Sequence, residues 1–352
     1  MLPEPIHFLW SPSIEGPVRG TGDILYTALV RKVYLNTWAL KPTVRVSGAL
    51  ISYGNAPASL TLSSWQGSEA YARVLQDWRG WMEEGILDLA CPMVYGTGNT
   101  RFDGWADFAK DRKYSRACAP GMGWYLNTVP NTIAQIALAR DVSPNGNTAA
   151  GIVGYSYAVP NSTSTSQSST WSQLVAGPFP SDVAVPAMPW KTSGTHGHAM
   201  GTVLASDNGD VLDGATVVIS GPANRTVTTD ATGFFGAVDL PVGSYTLTIS
   251  VPGFRTLTRS FFVNGGAVVQ PVTQLEIVPF IVTSTTQSIA NHTMTIAWNS
   301  VPGRTYRVEQ SANLTQWTTA ASGIAATSAS TSYVWVIPAA WTSGGYVRVA
   351  LE

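Results

Sequence analysis

Between Ser68 and Tyr95 the hydrophobic pattern changes period. Tyr71, Val74, Leu75, Trp78 and Met82 recur every three or four positions, as one face of a helix does. Glu83 and Glu84 close that helix, and Gly85 suits the left-handed turn after it. Ile86–Tyr95 is then almost continuously apolar, the pattern of a strand buried on both faces. The same alternation recurs along the first 160 residues. Asp23–Ala39 has helical periodicity through Ile24, Leu25, Leu29, Val33 and Leu40, and a strand follows near Val44–Ile51. Phe102–Arg112 reads as a helix capped by Thr100 or Asp103, and Arg116–Tyr125 as a strand. Thr128–Arg140 and Ala149–Ala158 give a fourth helix–strand pair. Such alternation predicts parallel strands joined by crossover helices. Residues 1–22 read as irregular. Residues 161–197, rich in Ser, Thr and Pro, read as a linker or a loosely packed surface segment. Beyond them short alternating strands between Asn, Asp and Gly turns predict a β-sandwich over 198–277 and a second β module over 278–352.

The segment Asp77–Gly96, DWRGWMEEGILDLACPMVYG, resembles the D-x-R-x-W-x-x-E-G-x-x-D-x-x-x-P-x-x-Y stretch of family-10-like glycoside hydrolases, bacterial envelope proteins with a barrel fold. That family's last four barrel strands end in motifs similar to Ile51–Gly54, Pro92–Tyr95, Gly121–Tyr125 and Gly154–Tyr157. A complete barrel takes about 250 residues and eight strands. The resemblance therefore implies a partial, half TIM-type β/α barrel over residues 1–160, truncated before its first four units. Met1–Gly16 does not read as a signal peptide, in keeping with a truncated start, although the family is secreted or envelope-bound. Gly201, Gly214, Ala215, Thr229, Asp230, Gly233, Phe234, Pro241, Gly243, Tyr245 and Gly253 resemble the carboxypeptidase-regulatory-like, transthyretin-type domain. Trp298, Gly303, Tyr306, Val308, Glu309, Leu314 and Trp317 resemble a small C-terminal sandwich of secreted bacterial enzymes.

Composition narrows the partners. Charged residues make up 12% of the chain and the net charge is −1, which leaves no electrostatic footprint for nucleic acid or an anionic membrane. No apolar run reaches the ~18 residues of a membrane span. The two cysteines, Cys91 and Cys118, read as buried free thiols. A half-barrel leaves strand edges and an apolar face uncovered, so pairing of edges in a homodimer, or cover from residues 1–22 and the β modules, is expected.

Glycosidic hydrolysis, which the first resemblance implies, needs two carboxylates roughly 5 to 9 Å apart. Glu69 and Asp103 are the candidates near strand ends. Each also has a plain structural role, as a solvated first-turn glutamate and as a cap. Asp88 falls at the start of its strand, where polar residues serve stability. Aromatics are the stronger signal: Tyr53, Tyr95, Trp124, Tyr125, Tyr155 and Tyr157 all fall at predicted strand ends, suited to stacking on sugar rings. Tyr95 is the candidate catalytic hydroxyl, and Ser52, Tyr53, Trp124, Tyr125 and Tyr157 are candidate substrate contacts. Asp207, Asp210 and Asp213, with Asn208, concentrate oxygen ligands that could take calcium, although their spacing misses the helix-loop-helix calcium pattern and a hairpin turn is the better account of them. Three functions follow: a glycoside hydrolase on an envelope or environmental glycan; a hydrolase of small esters or lactones, metal-assisted or using Tyr and Ser hydroxyls; and a non-catalytic carbohydrate-binding or adhesion protein.

Overall fold

The computed structural model describes residues 22–341 and 344–352, in two compact units that divide at Trp190 and Lys191. The expectations for residues 1–21 lie outside the described residues.

The first unit opens with α1 (Gly22–Leu40), which leads through a turn to β1 (Ser47–Ile51). Two short helices, α2 (Leu62–Gln66) and α3 (Glu69–Ala72), precede α4 (Trp78–Glu84). The single helix expected over 68–84 is thus broken. Leu75 adopts a left-handed φ of 57°, and Asp77 starts a new helix by accepting the Gly80 N–H. Gly85 closes α4 at φ 87°, a conformation that favours glycine. Then come β2 (Leu89–Met93), α5 (Asn99–Asp111), the short strands β3 (Ala117–Cys118) and β4 (Gly121–Gly123), α6 (Val129–Arg140) and β5 (Val153–Tyr155). The strands form one parallel sheet in the order β1-β2-β4-β5, with β3 also beside β2.

The sheet's two faces differ. Leu50, Ala90, Pro92, Cys118 and Met122 point one way and are buried. On the other face Ala49 pairs with half-buried Cys91, Ile51 with Met93, and Gly123 with exposed Tyr155. The expectation that Ile86–Tyr95 is buried on both faces is corrected: β2 alternates, because among the described residues only one face is fully packed. The helical side is an aromatic core. Trp65 stacks on Phe108 at 5.6 Å and meets Trp78 edge-on at 4.7 Å. Each such pair contributes about 0.5–1.5 kcal/mol beyond its buried area. Among the described side chains of α1, Tyr34, Leu35 and Trp38 are buried, while Leu29 and Leu40, expected inside, are exposed. The Ser/Thr/Pro-rich stretch carries α7 (Gln167–Ala176), whose Thr170 and Leu174 are buried, so part of it packs as structure rather than as spacer.

The second unit is all β. Strand β6 (His196–Thr202) lies between β10 (Phe234–Pro241) and β13 (Val268–Val269). Facing strands run β12 (Leu257–Val263), β11 (Gly243–Ser250), β8 (Thr216–Ser220) and β9 (Arg225–Thr228). Val217, Ile219, Phe235, Leu240, Tyr245, Leu247 and Ile249 fill the core. Short β7 (Leu204–Ala205) pairs with β14 (Gln274–Leu275). The terminal module has sheets β15-β16-β19 and β18-β17-β20, made of β15 (Val282–Ser288), β16 (Thr293–Asn299), β17 (Thr305–Ser311), β18 (Thr318–Ala325), β19 (Ser330–Val336) and β20 (Tyr346–Leu351). Their core contains Ile296, Trp298, Tyr306, Val308 and Trp335. Trp317 lies outside that core, half-buried under the Arg348 guanidinium at 4.1 Å.

Candidate functional site

The C-terminal ends of the parallel strands carry a cluster of tyrosines. Tyr95, two residues past β2, stacks on Tyr155 at the end of β5 with ring centroids 5.6 Å apart and planes 11° from parallel. Tyr125 meets both edge-on, at 6.3 Å and 5.9 Å. Tyr157, one strand repeat beyond Tyr155, stacks on Trp171 of α7 at 5.2 Å. Tyr155 is 54% and Tyr157 77% exposed, and Tyr53 and Tyr125 are also exposed. Burial, followed by the neighbouring phenols Tyr155 and Tyr125 and by Cys91, raises the pKa of Tyr95 above the usual phenol value. Like any phenol at neutral pH its hydroxyl is protonated, a donor and acceptor suited to sugar hydroxyls.

Side chains from the following helices pin the loops that hold these rings. Arg101, on the first turns of α5, donates from Nη2 to Ser52 O (2.8 Å), from Nε to Gly54 O (2.7 Å) and from Nη1 to Tyr95 O (3.0 Å). Trp105 Nε1 donates to the same Gly54 oxygen. Asn127 donates to Gly96 O and Gly123 O, and Gln135 to Gly96 O. Charge-assisted bonds of the Arg101 kind are among the stronger ones in proteins.

Several candidates take other roles. Ser52 is fully buried, and its Oγ has no hydrogen-bond partner among the described residues, so nothing there activates it as a nucleophile. The Trp124 ring is buried against Gly154 and Trp171, so it packs behind the surface rather than forming it. Glu69 lies beside Gly54 but pairs with Arg73 one helical turn on, at 3.2 Å. Asp103 is not a cap, because Gly98 occupies that position. Burial raises its pKa, helped by Asp107 and Asp141 and opposed by Lys110, groups of α5 and of the end of α6. Asp88 is buried at the opposite end of its strand, where it accepts hydrogen bonds from Tyr34, Val46 N and Trp190. The thiols are free, and burial pushes Cys91 up to about 11 and Cys118 up to about 12.

The aspartate-rich turn is also occupied otherwise. Arg304 reaches it from the terminal module, pairing with Asp207 Oδ1 and Asp210 Oδ2, each at 3.1 Å, and with Asn208 Oδ1 at 3.0 Å. Asp213 is exposed and does not join them. Of the three aspartates weighed for calcium as the lesser reading beside a hairpin turn, two face a guanidinium. No group of three His, Cys, Asp or Glu side chains suited to a metal occurs among the described residues. His198, in β6, accepts the Asp239 N–H at Nδ1. Trp171 and Arg101 escaped the sequence reading. Trp171 lay in a stretch read as linker, and Arg101 acts on main-chain oxygens that leave no side-chain motif.

Residues 200–276 match the carboxypeptidase regulatory-like domain. No curated protein matches the chain. Among solved structures, a DUF3823 family protein from Bacteroides ovatus shares 12% identity over 45% of this chain and 90% of its own, with a TM-score of 0.21. A candidate carbohydrate-binding protein from Bacteroides uniformis shares 12% over 44% and 79%, with a TM-score of 0.22. The Bacillus anthracis TIE protein shares 15% over 45% of this chain, which spans 26% of that protein, with a TM-score of 0.26. TM-scores this low leave function to be argued from the chain's own residues.

Proposed function

We propose that the chain is a non-catalytic carbohydrate-binding protein, its glycan resting on the tyrosines at the strand ends. The observation that carries this reading is the mutual packing of Tyr95, Tyr125 and Tyr155 with exposed ring surface, held by loops that Arg101 ties to the sheet. Sugar rings present apolar C–H faces to such surfaces while their hydroxyls bond phenols. No catalytic role is assigned to Glu69, which is paired with Arg73. The scaffold is, in this proposal, part of a family-10-like glycoside-hydrolase barrel that keeps the sugar surface without the acid pair. Its parallel strand order and single packed face support that descent. A second copy completing the sheet beside β1 or β5, and a cell-envelope location, belong to the same proposal.

A glycan array read together with a reducing-sugar assay tests it. Retention of neutral oligosaccharides without release of reducing ends supports binding. Turnover of a glycoside or of a small ester would replace this reading with a hydrolase, and no retention of any glycan would remove it.

A further inference from the structure

The two β modules meet without a slack connector. Arg255 N donates to Glu276 O at 2.7 Å, Val278 N to Gly253 O at 2.9 Å, and Phe254 forms a bridge with Ile277. Three residues on, the chain is held from the other side, where Asn299 N donates to Ile281 O at 3.2 Å and Asn299 Nδ2 to Pro279 O at 3.4 Å. Backbone hydrogen bonded on both sides of a junction has few states left to sample.

One loop of the terminal module, Val301–Arg304 between β16 and β17, reaches back across the junction. Val301 is 7% exposed and belongs to the hydrophobic core of the first sandwich. It packs against Gly253, whose φ of 88° and lack of a side chain make the seat: a Cβ there would lie 2.8 Å from Val301 Cγ2. The same residue is anchored in its own module, its N–H donating to the core hydroxyl of Tyr306 at 2.9 Å. Arg304, its side chain 13% exposed, then spans Asp207, Asn208 and Asp210. A planar guanidinium meeting three oxygens fixes direction as well as distance, which a point-charge ammonium does not.

We infer that residues 196–352 work as one stiff double sandwich, with the Val301–Arg304 loop as the lock that makes the two modules unfold together. An apolar plug and a charge fork at one place oppose both separation and rotation, whereas a single surface ion pair would do little. The aspartate-rich turn is then the receiving half of an intramolecular joint, a role independent of whether the tyrosine surface binds glycan.

Hydrogen–deuterium exchange of the full chain along a denaturant series tests this, read by mass spectrometry on core peptides from β11 and β17. In the wild type both peptides should lose protection at one midpoint. In Val301→Ala/Arg304→Ala the two midpoints should separate. Arg304→Ala alone should speed exchange in the 205–213 turn roughly tenfold, with Arg304→Lys recovering only part of the protection. Different midpoints in the wild type, or unchanged exchange in the turn of Arg304→Ala, would overturn the inference. Should the double variant fail to fold, the wild-type series and the Arg304→Ala turn decide the matter.

Discussion

The indole N–H of Trp190 donates to Oδ1 of Asp88 across 2.6 Å, and so pins residues at the end of the first unit under the start of β2. Tyr34 and the Val46 N–H also point at this carboxylate. Asp88→Asn would turn an amide donor toward a set of donors, and should destabilise the unit by about 2–4 kcal/mol. Trp190→Phe, which removes one donor from the set, should cost about 1 kcal/mol. Urea unfolding followed by tryptophan fluorescence measures both; equal, negligible losses would show that this anchor is not needed.

Arg101 ties the ends of β1 and β2 through three carbonyls. Arg101→Ala should cost roughly 2–3 kcal/mol and weaken glycan binding, because the loop holding Tyr95 loses its tether. Lysine cannot reproduce the fork and should rescue little. Calorimetric stability and glycan affinity measured on the same samples separate the two effects.

Asp103 and Asp111 should respond to acid with opposite signs. Burial, Asp107 and Asp141 raise the folded pKa of Asp103 above 3.8, so its charge costs stability at neutral pH and the cost is relieved as pH falls through that raised value. Asp103→Asn should therefore raise Tm slightly at pH 7, lose the advantage near pH 3, and leave glycan binding untouched. Burial also acts to raise Asp111, but bonds from Ser143, Asn147 and Asn145, with Arg112, outweigh it and the net shift is downward. Its stabilisation is present above the ordinary carboxylate range and is lost as pH falls through the lowered folded value. Asp111→Asn should lower Tm at pH 7 and lose its effect in acid. Thermal melts from pH 7 to pH 3 check both signs.

With Arg304 filling the 207–210 turn, neither EDTA nor millimolar calcium should shift the melting of the second unit. A calcium-dependent rise in Tm would return the turn to metal binding.

The helix–strand alternation was legible because helices and strands carry different periods, and at α4 Gly85 marks the helix end as well. The break at Leu75–Asp77 was not, since Tyr71, Val74, Leu75 and Trp78 keep helical spacing across a left-handed residue. The tyrosines at the strand ends could be picked out from their positions, but which of them face solvent depends on Gly154 admitting the Trp124 ring. The aspartate-rich stretch was legible as a turn, but its partner Arg304 was not, since it lies 94 residues beyond Asp210 in the chain. Local spacing holds no trace of a partner so distant.

Calorimetric titration of a retained neutral oligosaccharide against wild type, Tyr155→Ala and Tyr95→Ala tests the central claim most directly. Tyr155 is exposed at a strand end, so its loss should weaken binding on the order of tenfold to thirtyfold with folding unchanged. Tyr95→Ala should weaken it at least as much, since the stacked partner goes with it. Unchanged affinity in both variants would contradict a glycan site on this surface.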